Sequence, residues 1–86
     1  MADRVTHRTA DIVAPPGGVM TEEVGVVTGP LTLRTELTGH VATLWVRYRE
    51  ADEWYRVTGG EAELADPADL DAVHALAVGL LHRPDG

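Results

Sequence analysis

Between residues 22 and 58 apolar and polar side chains alternate, and only short groups of turn-forming residues interrupt the pattern. Val24, Val26, Leu31, Leu33 and Leu37 are interleaved with Glu23, Gly25, Thr32, Arg34 and Glu36. A run over residues 41–49 is rich in β-branched and aromatic residues, and a shorter one covers 53–58. A period of two is the mark of strands with one buried face. The interruptions, Gly29-Pro30, Thr38-Gly39 and Ala51-Asp52, are short enough for hairpins. Pro30 fits poorly in a two-residue turn, so the first connection should be slightly longer.

Two of these turns can be checked against each other. A two-residue turn at Thr38-Gly39 pairs Leu37 with His40, Thr35 with Ala42 and Leu33 with Leu44. A similar turn at Ala51-Asp52 pairs Tyr48 with Tyr55 and Val46 with Val57. Both then send Leu31, Leu33, Ala42, Leu44, Val46, Tyr48, Tyr55 and Val57 to one face. A slip of one residue would break that agreement, because successive side chains point to opposite faces.

Gly59-Gly60 is expected to end the sheet. Asp66 then serves as a helix N-cap, with Pro67 in the first helical position. Leu70, Val73, Leu76, Ala77, Leu80 and Leu81 recur at helical spacing and form the expected core face. Arg83 and Pro84 mark the stop. The expected fold is α+β: a four-stranded antiparallel β-meander followed by one C-terminal α-helix packed on one sheet face, in the order β-β-β-β-α. That order is similar to the PUR repeat, a single-strand-binding module, in topology alone and without a shared residue motif. Residues 1–20 lack periodicity and contain Pro15-Pro16-Gly17-Gly18, so they read as a flexible arm. The alternative is an extra edge strand over residues 4–13. Residues 21–86 form the single domain.

A chain of 86 residues buries a smaller fraction of its surface than a larger domain, and its core is marginal. With no cysteine, disulfides and thiolate metal sites are unavailable, which leaves oligomerisation as a further source of stability. The chain also lacks Lys, Ser, Asn, Gln and Phe, a bias that fits a GC-rich bacterial genome. Without Ser, Cys or Lys the commonest covalent nucleophiles are missing. The net charge of −7 opposes binding to bulk duplex nucleic acid or anionic membranes unless the cations are segregated. The N-terminal residues lack the apolar core of a signal peptide, and no apolar run is long enough to span a bilayer. A cytoplasmic protein is expected.

Segregation of the cations follows from the register. The outward face of the sheet should carry Arg34, Trp45, Arg47, Arg49, Trp54 and Arg56, which is four of the seven arginines and both tryptophans. Trp and Arg are the residues enriched at binding hot spots. Aromatic and cationic sheet faces also suit single-stranded nucleic acid. The plainer alternative is that these are ordinary solvated positions, paired across strands with Glu23 and Glu36. On the helix, Ala72, Ala75 and Gly79 make a second, small-residue stripe that suits close approach by another helix. Glycine inside a helix costs about 1 kcal/mol unless packing offsets it.

Other chemistries are poorly supported. His7, His40, His74 and His82 are scattered, without the spacing of a metal site. Glu50, Asp52 and Glu53 fall at a turn, and Glu61, Glu63, Asp66, Asp69 and Asp71 precede or enter the helix. Solvation and capping account for them without acid–base catalysis. No cofactor or metal is implied. The reading is a small acidic non-catalytic binding or regulatory module, homodimeric, with a protein partner through the Arg/Trp face. The alternative is a single-stranded nucleic-acid-binding protein using the same face.

Overall fold

A computed structural model describes residues 5–85. It contains six antiparallel strands and one helix: β1 (Val5–Val13), β2 (Val19–Thr21), β3 (Gly25–Val27), β4 (Pro30–Thr38), β5 (Val41–Tyr48), β6 (Tyr55–Glu63) and α1 (Leu70–Leu81). They form one sheet in the order β1-β4-β5-β6-β2-β3. The α+β class with an antiparallel sheet and a C-terminal helix is therefore as expected, but the sheet has six strands and not four. The four-strand order on which the PUR likeness rested is not the order of this sheet.

One added strand lies in the segment read as an arm. Val5, Thr6, Thr9, Ile12 and Val13 are β-branched and favour extended backbone. β1 pairs with β4 along its whole length, from Val5 opposite Thr38 to Val13 opposite Pro30. Its inward side chains are Thr6, Arg8, Ala10 and Ile12, so its apolar signal in sequence is slight. The other added strand is β2, also largely within that segment. It forms a hairpin with β3, the strand expected around Val24 and Val26, so β3 lies at the far edge and does not pair with β4 across Gly29-Pro30. Thr21 closes the hairpin, its hydroxyl donating to the Gly25 carbonyl at 2.7 Å and accepting from the Val24 N–H at 3.2 Å. That turn reverses the expected facing: Val19 and Val27 are buried, while Val24 and Val26 are exposed.

The central hairpins keep their expected faces with a changed register. Thr38 faces Val41, so Gly39-His40 is the turn and Leu33 faces Val46 instead of Leu44. Gly39 has φ of 61°, and the tight hairpin turns require positive φ at that first central position. Between β5 and β6, Val46 faces Tyr55 and Trp45 faces Arg56 across a longer loop of residues 49–54. Each displacement is by two residues, and a slip of two leaves every side chain on its original face. Leu31, Leu33, Ala42, Val46 and Val57 are buried accordingly. Tyr48, opposite Leu31 at the sheet end, remains exposed against expectation.

Gly59-Gly60 bends β6 and does not end it. Gly59 has φ of 75°, and a Cβ on Gly60 would lie 2.9 Å from that of Leu44. The irregularity falls opposite residues 43–45 of β5, and beyond it the strand continues to Glu63. Leu64 then joins Leu37, Ala42 and Leu70 in a second small core cluster.

Asp66 caps the helical segment, its carboxylate accepting from the Ala68 N–H at 2.9 Å. A single 3₁₀ turn, Pro67–Asp69, leads into α1. The helix packs on β1 and β4, not on the middle of the sheet. Leu70 and Ala77 are buried, and Val73, Val78 and Leu81 are half-buried against the core. Leu76 and Leu80, expected in the core, are each 69% exposed. Polar contacts explain the rotation. Arg8 meets Asp71 at 2.8 Å, and Thr35 Oγ1 lies 2.7 Å from His74 Nδ1. The Val13 N–H donates to His82 Nδ1 at 2.9 Å, and the Arg83 N–H to the Val13 carbonyl at 2.9 Å. β1 is an edge strand, and these last contacts occupy backbone groups it would otherwise leave free. Among the described residues no helix is long and apolar enough to cross a membrane.

Candidate binding face

The outer face of the sheet is organised by one cross-strand row. Thr9 on β1 faces Arg34 on β4, Arg34 faces Trp45 on β5, and Trp45 faces Arg56 on β6. Arg47 lies one step along, opposite Thr32. Trp54 precedes β6 and turns its ring over this surface. The Arg47 guanidinium carbon is 4.8 Å from the Trp54 ring centroid and that of Arg34 is 5.9 Å from it. The Arg56 carbon is 5.5 Å from the Trp45 ring. All lie within the roughly 6 Å over which a ring quadrupole attracts a cation.

Glu36 completes the set. It accepts from Arg34 Nη2 at 2.8 Å and from Arg34 Nε at 2.9 Å, with both side chains about a quarter exposed. Arg34, Glu36, Trp45 and Trp54 line a concavity of ≈ 290 Å³. Trp45 Nε1 and Arg47 Nε are buried and meet no acceptor among the described residues. A buried donor left unpaired costs about 1–3 kcal/mol, so two of them on one face are costly unless an acceptor reaches them.

Five of the six residues expected on this face are thus brought together: Arg34, Trp45, Arg47, Trp54 and Arg56. Arg49 is not. It follows β5 in the turn, where its Nη2 donates to the Ile12 carbonyl at 2.8 Å and its Nε to the Leu31 carbonyl at 3.4 Å. Its role is to fasten the end of the β1–β4 pair. Glu36 shares the sheet parity of Arg34, the one sequence signal for its place in the site.

Carboxylates surround the cations. Glu23 accepts from the Arg56 backbone N–H at 2.8 Å, and Glu22 from the Thr58 hydroxyl at 2.7 Å. The β2–β3 turn therefore puts negative charge beside Arg56. Asp11 accepts from Thr32 at 3.1 Å, on the side of Arg47. The cationic patch is narrow.

The histidines remain apart. His40 Nδ1 is 3.3 Å from the Leu64 carbonyl, His74 contacts Thr35, and His82 contacts Val13. Burial lowers the pKa of His74, the Asp71 carboxylate raises it and Arg8 lowers it, with a net result below 6.5. Tyr55 is raised above 10.0 by desolvation and by its hydrogen bond to Glu53 at 3.2 Å. Among the described residues no three of His, Asp and Glu converge to hold a metal ion.

The helix stripe Ala72, Ala75 and Gly79 is exposed, as are Leu76 and Leu80 beside it. A Cβ on Gly79 would meet nothing within 4 Å. Beside this flank part of the inner face of β5 and β6 is left open, although Ala42, Val46 and Val57 are buried. Ala42, Leu44, Gly59, Gly60, Glu61, Ala62 and Val73 line a mostly apolar pocket of ≈ 190 Å³ there. Compared with known proteins, the chain matches no family model, no curated relative and no solved structure.

Proposed function

We propose that the chain is a small non-catalytic binding module whose outer sheet face receives a segment of a protein partner. The observation that supports this reading is the concavity between Trp45 and Trp54, held by three stacked arginines. Half-buried aromatics fixed on a rigid sheet offer contact area at low entropic cost, the character of a hot spot. A catalytic reading lacks support: the common nucleophiles are missing and the histidines are dispersed.

Single-stranded nucleic acid is the second reading, favoured by arginine and tryptophan on one sheet face. Two features weigh against it. Guanidinium groups already lie over the tryptophan rings where bases would stack. Glu22, Glu23 and Glu36 also border the arginines that phosphates would have to reach.

The two tryptophan indole N–H resonances report on this face directly. Proteins captured by the wild-type chain from nuclease-treated extract should be lost with Trp45→Ala and should perturb the Trp45 indole signal when added back. Arg47→Ala and Arg56→Ala should have smaller effects. The nucleic-acid reading replaces this one if an oligothymidine shifts the same signal, with affinity falling steeply in salt and with both arginine variants.

A further inference from the structure

The two long sides of α1 differ in what they meet. At about 100° per residue, Asp71, His74 and Val78 lie on the side toward β1 and β4, where Arg8 and Thr35 hold them. Val73, Leu76 and Leu80 follow the opposite side, at i, i+3 and i+7. Val73 places that side beside the pocket over β5 and β6. Leu76 and Leu80 project from it, each 69% exposed, with Ala72 and Gly79 next to them. A knob and a hollow, both apolar, therefore adjoin on one surface.

The charges at the two ends of α1 say what fits there. Asp69 stands one turn before Ala72, and Arg83 follows the helix past the extended His82, with its backbone N–H on the Val13 carbonyl. Both side chains are exposed and neither is in an ion pair among the described residues. Asp66, Asp69 and Asp71 make the N-terminal end of α1 acidic; His82 and Arg83 follow its C-terminal end. In an antiparallel helix pair centred on Leu76, position i meets 152 − i. Leu76 then meets its own copy, Ala72 meets Leu80, Val73 meets Gly79, and the acidic end that carries Asp69 lies beside the end that carries Arg83. Small residues oppose large ones and opposite charges oppose each other, as an isologous two-fold contact requires. A parallel pair would put Asp69 against Asp69. The register also carries Leu80 of the second copy to the neighbourhood of Val73, at the pocket.

We infer that this side of α1 is the seat of a second copy of the same chain, docked antiparallel about a two-fold axis beside Leu76. The surface is separate from the Arg/Trp face and does not depend on how that face is used. Self-association leaves the outer sheet free, so the dimer presents two such faces.

Sedimentation equilibrium on the full chain tests this, with circular dichroism as the control for folding. The wild type should be a dimer at micromolar concentration. Leu76→Asp should raise the dimer dissociation constant by about 30-fold or more, the effect of losing a central interface contact, with an unchanged spectrum because Leu76 is exposed. Asp69→Arg and Arg83→Asp should each weaken the dimer by up to about five-fold, the range of an exposed ion pair. The double variant should restore it. Trp45→Ala should leave the dimer intact, which separates this proposal from the sheet-face reading. A chain that stays monomeric at several hundred micromolar overturns the proposal. So does a dimer indifferent to Leu76→Asp, or a charge reversal that the second reversal fails to rescue.

Discussion

The half of the sheet under α1 and the half beside it are built from similar side chains and end in different environments. β1 and β4 lie beneath the helix, and Ile12, Leu31, Leu33 and Thr35 are completely buried there. β5 and β6 also bury Val46 and Val57, but they turn Leu44, Gly60 and Ala62 to the same face, and these three line an open pocket. A 12-residue helix is about 18 Å long and 10 Å wide, and neighbouring strands are about 4.8 Å apart, so one helix covers only part of a six-strand sheet. Polar contacts as well as apolar ones tie the helix to the covered half. Arg8, Thr35 and the Val13 backbone all lie on β1 and β4, and each meets a partner on α1 or just after it. These directional contacts, together with the burial of Leu70 and Ala77, hold the helix over this half.

The strongest way to break this comparison is one substitution made in both halves. Leu33→Ala removes a side chain with no exposed surface beneath the helix and should cost about 2–5 kcal/mol of unfolding free energy. Leu44→Ala removes the same atoms from a half-open site and should cost less than half as much. Urea unfolding of the two variants measures both. Equal losses would mean that the pocket over β5 and β6 is as well packed as the core, and would remove the contrast.

Next in size is the buried polar contact. His74→Ala leaves the fully buried Thr35 hydroxyl without its 2.7 Å partner and should cost about 1–3 kcal/mol. Thr35→Val, which removes the hydroxyl while keeping the shape, should be milder once His74 is also replaced by an apolar residue. The same pair makes stability depend on pH. The folded chain holds His74 below 6.5, so between the folded pKa and 6.5 the unfolded state binds more protons. Stability then rises with pH across that window and falls as the solution is acidified through it. Thermal unfolding from pH 7.5 to 5 should show the loss in wild type and a smaller one in His74→Ala.

The alternation of residues was enough to assign β4, β5 and β6 to the right faces, because a register error of two leaves facing intact. Leu33 and Val46 point inward and Arg34, Trp45, Arg47 and Arg56 outward under either register. β1 was obscure for a physical reason: of its inward residues Thr6, Arg8, Ala10 and Ile12, only Ile12 is strongly apolar. Its pairing depends on β4, and on a helix some sixty residues away. The rotation of α1 was equally hidden. Six apolar positions, from Leu70 to Leu81, span too wide an arc for periodicity to say which leucines turn inward. Asp71 and His74 decide it through partners far away in sequence, and Leu76 and Leu80 are left outside. Arg49 shared the parity of the outer face, but its place in a turn let the side chain reach the carbonyls of Ile12 and Leu31 instead.

The smallest effect belongs to Arg8 and Asp71, and it tests whether the polar side of α1 acts as a unit. Their 2.8 Å pair is largely solvated, with side chains 45% and 71% exposed, so a double-mutant cycle with Arg8→Ala and Asp71→Ala should give about 0.2–1 kcal/mol, reduced by salt. The pair also faces His74, and its two charges act on that imidazole in opposite senses. Removing Arg8 leaves the Asp71 carboxylate to stabilise the imidazolium and raises the His74 pKa; removing Asp71 lowers it further. Arg8→Ala should therefore lessen the loss of stability on acidification, and Asp71→Ala should deepen it. NMR titration of the His74 ring protons reads the two shifts separately from the small change in stability. Shifts of the same sign would mean that helix displacement, and not charge, governs His74. The ion pair would then be holding the helix in place more firmly than its exposure implies.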